Sequence, residues 1–449
     1  MIVDETYRKD ILKKALEIAV SGQLAQESSA HLKRTTQRTI TKRGVIWLGQ
    51  TCNLHCQFCY FFDKIHSKEH PEHAFMSLDK AKKICRALVE FYGNKAVDIQ
   101  GGEPTIYNDI FELIRYCSDI GLRPTLITNG LVLDDIEVCR KYKEVGLRDF
   151  LISVHGIGEV YDRLVRRDGA HVRQMIALRN LREVGIPFRF NCVLSKPATE
   201  QLSLIAELAI RTGALVVNFI AFNPFEDQSR QGRRSTTNVP RYPDVKEKIT
   251  EALDILESAG IETNVRYLPI CMLEDRHRKS AYNFQQLPYD HHEWDYASWG
   301  WTGLQPQRMS KGDLTDPVHT TALRWLPKLK GPFKNLASIS VIRPLLYEAY
   351  EALAKLSGRG ERKEDLYRKI ATIHAEIHCR YTYGENCKSC KARGICDGFH
   401  GDYAQIFGAD EAEPIESELR VADPIYYIRN QMKIVEEDDK KWALPPLGE

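Results

Sequence analysis

The chain has 449 residues, 43 % of them hydrophobic, which is more than one small domain needs and enough for a large core with a smaller one appended. Lysine and arginine (63) nearly cancel aspartate and glutamate (61), so charge gives no reason to expect nucleic acid as a partner. No apolar run reaches the roughly 20 residues that cross a bilayer, and the N-terminus lacks the apolar stretch of a secretory signal, so a cytoplasmic chain with no membrane partner is expected.

Residues 6–21 have the spacing of an amphipathic helix, and a polar, basic stretch follows it, so residues 1–43 form an N-terminal extension. From Gly44 onward, short β-rich runs alternate with helical patterns: GVIWLG, AVDIQ, PTLIT, DFLISV, PFRFNCVL and LVVNFIAF. Six β/α units over 44–240 predict a parallel sheet with right-handed crossovers. Periodicity does not choose between an open doubly wound sheet and a partly closed barrel. In either, chemistry belongs in loops at the C-terminal ends of the strands. Ser77 is the expected N-cap of the first crossover helix, whose apolar positions Ala81, Ile84, Leu88 and Phe91 should face inward.

A second region, 241–449, opens with a helix near 245–259 and a seventh strand-like run, ETNVRYL, that leads to Cys271. Residues 275–335 have weak period and read as a long loop, followed by amphipathic helices near 337–356 and 362–377. The loop gathers Asp290, His291, His292, Glu293, Asp295 and the indoles of Trp294, Trp299 and Trp301, which suit a hydroxylated or cationic ligand or simply seal a barrel mouth.

Twelve cysteines in a reducing compartment call for a reason other than disulfides. Cys52, Cys56 and Cys59 share one short loop straight after the first barrel strand. Three thiolates from one loop can each bind a different iron of a cubane and leave the fourth iron open for chemistry. Structural zinc is the alternative, but it prefers four ligands and paired CxxC spacing. Cys85, Cys117, Cys139 and Cys192 fall on apolar positions of elements, where a buried thiol needs no chemistry.

The spacing CxxxCxxC followed by the aromatic Tyr60, together with GGEP at Gly101–Pro104, resembles the signatures of the radical S-adenosylmethionine (SAM) superfamily over residues 44–225. That resemblance implies an α/β partial (β/α)6 TIM-like barrel, with a catalytic [4Fe–4S] cluster on Cys52, Cys56 and Cys59 and SAM on its open iron. One electron, from an external donor such as flavodoxin or ferredoxin, would cleave SAM to a 5′-deoxyadenosyl radical. By position, Gly101 and Gly102 would admit the methionine amine and Glu103 would support its cationic end. Tyr60 would stack near adenine, and Thr128, Asn129 and Ser153 would meet ribose and carboxylate. Arg166, or its neighbour Arg167, would pair with the cofactor carboxylate. His155 stands where many relatives carry an acidic residue.

Near the C-terminus, Cys387, Cys390 and Cys396 follow a CxxCxxxxxC pattern that resembles the small auxiliary-cluster domains called SPASM or twitch. A second, auxiliary [4Fe–4S] cluster is expected there, with Cys271 the favoured fourth ligand ahead of Cys379 and His400. A CxxC with two further thiolates also suits zinc. The expected function is hydrogen abstraction from a small polar metabolite, sugar or nucleoside-like, in natural-product biosynthesis, ending in oxidation, dehydration or epimerisation. A peptide maturase is the alternative, against which the 43 residues before the barrel are short and polar for a leader-binding domain. A non-catalytic metal-binding protein is the third reading, and no cobalamin-binding domain supports methyl transfer.

Overall fold

A computed structural model describes residues 5–22, 32–39, 43–59, 74–90, 94–222, 234–286 and 380–444, with three two-residue strands at 294–295, 317–318 and 361–362. The expected helices at 337–356 and 362–377 lie outside the described residues, as do Tyr60, Cys379, Asp290 to Glu293, Trp299 and Trp301.

The strands are β1 (Leu32–Thr35), β2 (Arg43–Trp47), β3 (Ala96–Gln100), β4 (Arg123–Thr128), β5 (Asp149–Ser153), β6 (Phe188–Leu194), β7 (Val216–Ala221), β8 (Glu262–Arg266) and β9 (Ala281–Tyr282). The short β10 (Trp294–Asp295), β11 (Pro317–Val318) and β12 (Glu361–Arg362) precede β13 (Lys433–Glu436). The helices are α1 (Glu5–Ala19), α2 (Leu78–Glu90), α3 (Ile110–Asp119), α4 (Ile136–Glu144), α5 (Glu159–Val165), α6 (Ala170–Val184), α7 (Lys196–Thr199), α8 (Leu202–Thr212), α9 (Tyr242–Ser258) and α10 (Gly401–Phe407). None of the described helices is long and apolar enough to cross a membrane.

One sheet dominates, in the order β10-β2-β3-β4-β5-β6-β7-β8-β9, and every recorded pairing in it is parallel. The order decides what periodicity left open. A doubly wound sheet reverses direction at a switch point, whereas β2 to β8 run in sequence, so right-handed crossovers lay all their helices on one face. The other face is buried only if the sheet curls, which gives a partial α/β barrel. ETNVRYL forms β8, which continues the same sheet beyond β7. Residues 275–282, expected as the start of a long loop, instead form a 3₁₀ turn (Asp275–Ser280) and β9.

Local chemistry sets each layer. Along β6, Phe188, Phe190, Cys192 and Leu194 are buried while Arg189, Asn191 and Val193 alternate to the other side, the period-two pattern of a strand with distinct faces. Ser77 caps α2, its Oγ accepting from the Lys80 N–H at 3.4 Å, and Ala81, Cys85 and Leu88 form the buried face. Leu12, Ala15 and Ala19 of α1 join the core, and Arg182 fastens that helix by donating to the Ala19 carbonyl at 3.1 Å.

At the N-terminal ends of the strands the interior is polar. Asp149 meets Arg189 at 2.7 Å and Arg148 at 3.0 Å and accepts from Thr125, while Arg43 pairs with Asp98. The C-terminal segment closes this floor: Glu436 takes Arg148 at 2.7 Å, Asp439 takes Arg123 at 3.0 Å, and Lys433 reaches Glu262 of β8 at 2.6 Å. β13 itself pairs antiparallel with β1, so the first and last of the described strands join beneath the barrel.

Asp149 reports on this floor. Burial works to raise its pKa, but Arg189, Arg148 and Arg43 outweigh burial and hold the carboxyl below the usual carboxylate range. A group with a depressed folded pKa contributes fully above its unfolded value, about 4, and the contribution is lost as pH falls toward the lowered value. Asp149→Asn, which leaves two buried guanidiniums short of a counter-charge, should cost about 3–5 kcal/mol in urea unfolding at pH 7. Its stability should also decline less steeply than that of the parent chain below pH about 4.

Candidate functional site

The loop carrying Cys52, Cys56 and Cys59 leaves β2 and is fixed at once to the end of β3. The Leu48 N–H donates to the Gln100 carbonyl at 2.8 Å, Gly102 to Gly49 at 2.7 Å, and Glu103 to Thr51 at 2.9 Å. This ladder explains both glycines. A Cβ on Gly102 would lie 2.1 Å from the Thr51 carbonyl oxygen, and one on Gly101, whose φ is +154°, would lie 2.8 Å from that of Gly49. The close approach that glycine permits is therefore to the backbone entering the cysteine loop.

Glu103 ties the next strand in. Its Oε1 accepts from the Thr105 N–H (3.0 Å), the Thr105 hydroxyl (2.7 Å) and the Thr128 hydroxyl (2.6 Å), and its Oε2 from the Asn129 N–H at 2.8 Å. Burial pushes its pKa up while these donors oppose the shift. Expected to support a ligand amine, Glu103 first joins the ends of β3 and β4. Asn129 then donates to the Asn53 side chain at 2.8 Å, inside the cysteine loop.

The far side of the loop rests on α5. Gln57 N–H donates to the Leu164 carbonyl at 2.9 Å, His55 N–H to Val165 at 3.3 Å, and the Gln57 amide to Arg163 at 3.0 Å. A helix ends with carbonyls that have no intrahelical donor, and here the cysteine loop supplies the donors. Arg166 caps α5 in the left-handed region at φ 57°, and Arg167 donates to the Asn53 carbonyl at 3.1 Å. Gln174, fully buried on α6, has its amide nitrogen 2.9 Å from the carbonyl oxygens of Asn129 and Ser153 and from the Tyr161 hydroxyl, three acceptors that share its two hydrogens. Sequence reasoning missed Gln174 and Asn53; the sole signal for Gln174 was an amide on an otherwise inward helix face.

The thiols are half-buried. Burial first, then the nearby Glu103, pushes Cys52 up to about 12, and Cys56 rises through burial and the charges of Cys59 and Cys52. Burial and mutual repulsion disfavour the thiolates here, and a cationic centre such as an iron cluster among them would favour them. The Leu54 N–H already points at Cys52 Sγ, at 3.4 Å. Among the described residues, no three His, Cys, Asp or Glu side chains converge as ligands of a single metal ion.

His155, at the end of β5, is buried, and burial lowers its pKa to about 3. Its Nδ1 accepts the Val193 N–H at 3.1 Å, which leaves the proton on Nε2 of a neutral ring. Phe58 of the cysteine loop packs edge-on to that ring at 4.3 Å and to Phe222 at 6.4 Å.

The second cysteine group also comes together. Cys271, in a 3₁₀ turn (Ile270–Met272) after β8, lines one small cavity with Cys387, Cys390 and Cys396. The Ile415 N–H approaches Cys390 Sγ and the Gly398 N–H approaches Cys396 Sγ, each at 3.4 Å. Burial, with Cys387 and Cys390 adding to it, pushes Cys271 up to about 11, and burial with Cys271 pushes Cys396 higher. His400, the third candidate ligand, caps α10 by accepting the Asp402 N–H at 3.1 Å, and it is absent from the cavity lining.

Replacing Gly102 with alanine tests the backbone ladder. Reconstituted Gly102→Ala should lose about four irons per chain, one cubane's worth, while keeping its far-UV circular dichroism; iron analysis beside the spectrum checks both.

A family model described as "Radical SAM superfamily" matches residues 48–209. An "AdoMet-dependent heme synthase" of Methanosarcina barkeri is 30 % identical over 188 residues, 41 % of this chain and 52 % of the relative. A "Probable GTP 3′,8-cyclase" of Sulfurisphaera tokodaii is 28 % identical over 181 residues, 40 % of this chain and 55 % of that protein. The chain thus spans about half the length of these curated relatives. Among solved structures, Streptococcus suis SuiB bound to the precursor peptide SuiA aligns over 69 % of this chain and 76 % of its own, at 17 % identity and a TM-score of 0.43. Methylornithine synthase aligns over 69 % and 82 %, at 15 % identity and a TM-score of 0.42. The superfamily is one of enzymes, and residues 48–209 of this chain, with their cysteine loop and GGEP turn at the strand ends of a parallel barrel, form a radical SAM superfamily domain.

Proposed function

We propose that this chain reductively cleaves SAM at a [4Fe–4S] cluster on Cys52, Cys56 and Cys59 and uses the resulting radical to abstract hydrogen from a small polar metabolite. When bound, that pair supplies a primary carbon radical generated by one electron from an external donor. The observation that carries the reading is the backbone ladder from Gly49–Thr51 to Gly101–Glu103, which holds three thiols at the strand ends of the barrel.

The chain's own residues bind and orient. The Gly101–Glu103 turn, Thr128 and Asn129 and the Ser153 end of β5 are the residues we assign to holding SAM, with Arg166 and Tyr60 at its edges. Phe58, Phe222 and His155 form a buried wall beside the cysteine loop, which excludes water from a reactive radical. Arg234, also buried, donates to the Phe222 carbonyl and stacks over its ring at 4.1 Å. A cation at that wall favours a ligand with polar or anionic groups, which supports a small metabolite as substrate. The relatives named as a heme synthase and a GTP cyclase support small-molecule chemistry as well.

For the cavity of Cys271, Cys387, Cys390 and Cys396 we assign an auxiliary [4Fe–4S] cluster with four protein thiolates and no iron open to substrate. The N–H donors at Cys390 and Cys396 fit such ligands. The domain that carries it corresponds to the twitch type.

Anaerobic reconstitution should give about eight irons per chain, and dithionite should drive formation of 5′-deoxyadenosine from SAM. Cys52→Ala, Cys56→Ala or Cys59→Ala should abolish that product and leave the second site loaded. Cys271→Ala should lower iron by about four and keep some uncoupled cleavage. Full cleavage in any of the first three variants, or no cleavage at any loading of the parent chain, would overturn the enzymatic reading. Turnover with peptides alone would overturn the small-metabolite one.

A further inference from the structure

The four-cysteine cavity has two charged side chains in its wall, Arg393 and Glu413. They are not equivalent. The Glu413 carboxylate is paired from outside by Lys246 Nζ at 2.6 Å, whereas no carboxylate of the described residues pairs with Arg393. Arg393 opens the 3₁₀ turn Arg393–Ile395 between Cys390 and Cys396, and its guanidinium lies over the Tyr383 ring with Cζ 4.8 Å from the centroid. The Tyr383 hydroxyl donates to the Cys396 carbonyl at 2.7 Å, so the platform under the guanidinium is anchored to one of the four cysteines. The cation is thereby held against the cage.

Reduction adds one negative charge to a cluster already surrounded by four thiolates. A fixed cation in the wall of a partly buried site lowers the energy of the reduced form, and N–H donors at Cys390 and Cys396 act in the same direction. We infer that Arg393 is the positioning residue that raises the reduction potential of the auxiliary centre and so makes it an electron acceptor within the protein. This rests on the assignment of the cage as a [4Fe–4S] site. Arg393 acts through the field at the cysteines and touches no reacting atom.

Redox titration followed by electron paramagnetic resonance tests it, on full-length protein carrying Cys52→Ala, Cys56→Ala and Cys59→Ala so that the second centre alone reports. Arg393→Gln should move the midpoint to more negative potential with iron and sulfide unchanged, and Arg393→Lys should move it less. Tyr383→Leu, which removes the platform and keeps the charge, should also shift it negative, and serves if the glutamine variant loads poorly. A midpoint unchanged or more positive in loaded Arg393→Gln or loaded Tyr383→Leu overturns the role of Arg393 and leaves the cage assignment standing. Absence of iron and sulfide from the triple-cysteine background overturns the cage assignment and the role of Arg393 with it.

Discussion

The site depends on a contact in which no side chain takes part. Gly101 and Gly102 press their backbone against Gly49–Thr51, and the resulting hydrogen bonds make the exit of β2 and the exit of β3 one rigid unit. Because the chain from Thr51 runs straight into Cys52, the position of the first thiol is set by strand pairing and not by loop flexibility. Glu103 extends the unit to β4, Gln174 extends it to β5, and the carbonyls ending α5 hold the outer edge. A loop supported on this many sides loses little further entropy when it receives a ligand.

Much of this was legible in the residues. The six β-rich runs became β2 to β7 at their expected places, and the first cysteine group and GGEP fell at strand ends. What sequence patterning did not carry was the partner of each polar residue. Glu103 was recognisable as a site residue from its motif, but its bonds to Thr128 and Asn129 join strands separated by a helix, and no local period records them. Gln174 was silent for the same reason. Periodicity did not choose barrel over doubly wound sheet, because strand order belongs to pairing and not to composition; the motif resemblance did choose it, and the strand order β2 to β8 agrees. His155 shows the opposite case: its identity departed from the family pattern in plain view, but only the Val193 contact reveals which nitrogen keeps the proton.

The two cysteine groups differ in how they are built. The first comes from one loop and supplies three thiols, so its geometry depends on the surfaces that brace it. The second draws Cys271 from the end of the barrel sheet and three more from a segment far along the chain, so docking of that segment and assembly of the cage are the same event. The stacked pair Tyr242 and Tyr403, with centroids 3.7 Å apart and the Tyr242 N–H donating to the Tyr403 hydroxyl, secures that docking against α9.

The floor of the barrel has a consequence for how the protein is made. Its seal pairs β1 with β13 and places Glu436 and Asp439 beneath guanidiniums of the strands above. During synthesis the barrel strands emerge long before that seal, so a nascent chain carries charged groups in an interior with no lid, and the contacts of β13 with β1 close only after residues 433–439 have left the ribosome. Such contacts are slow to form, and the unsealed state is the one most exposed to misassembly. Maturation is therefore governed by residues 433–439, whose arrival determines when the floor of the partial barrel is sealed.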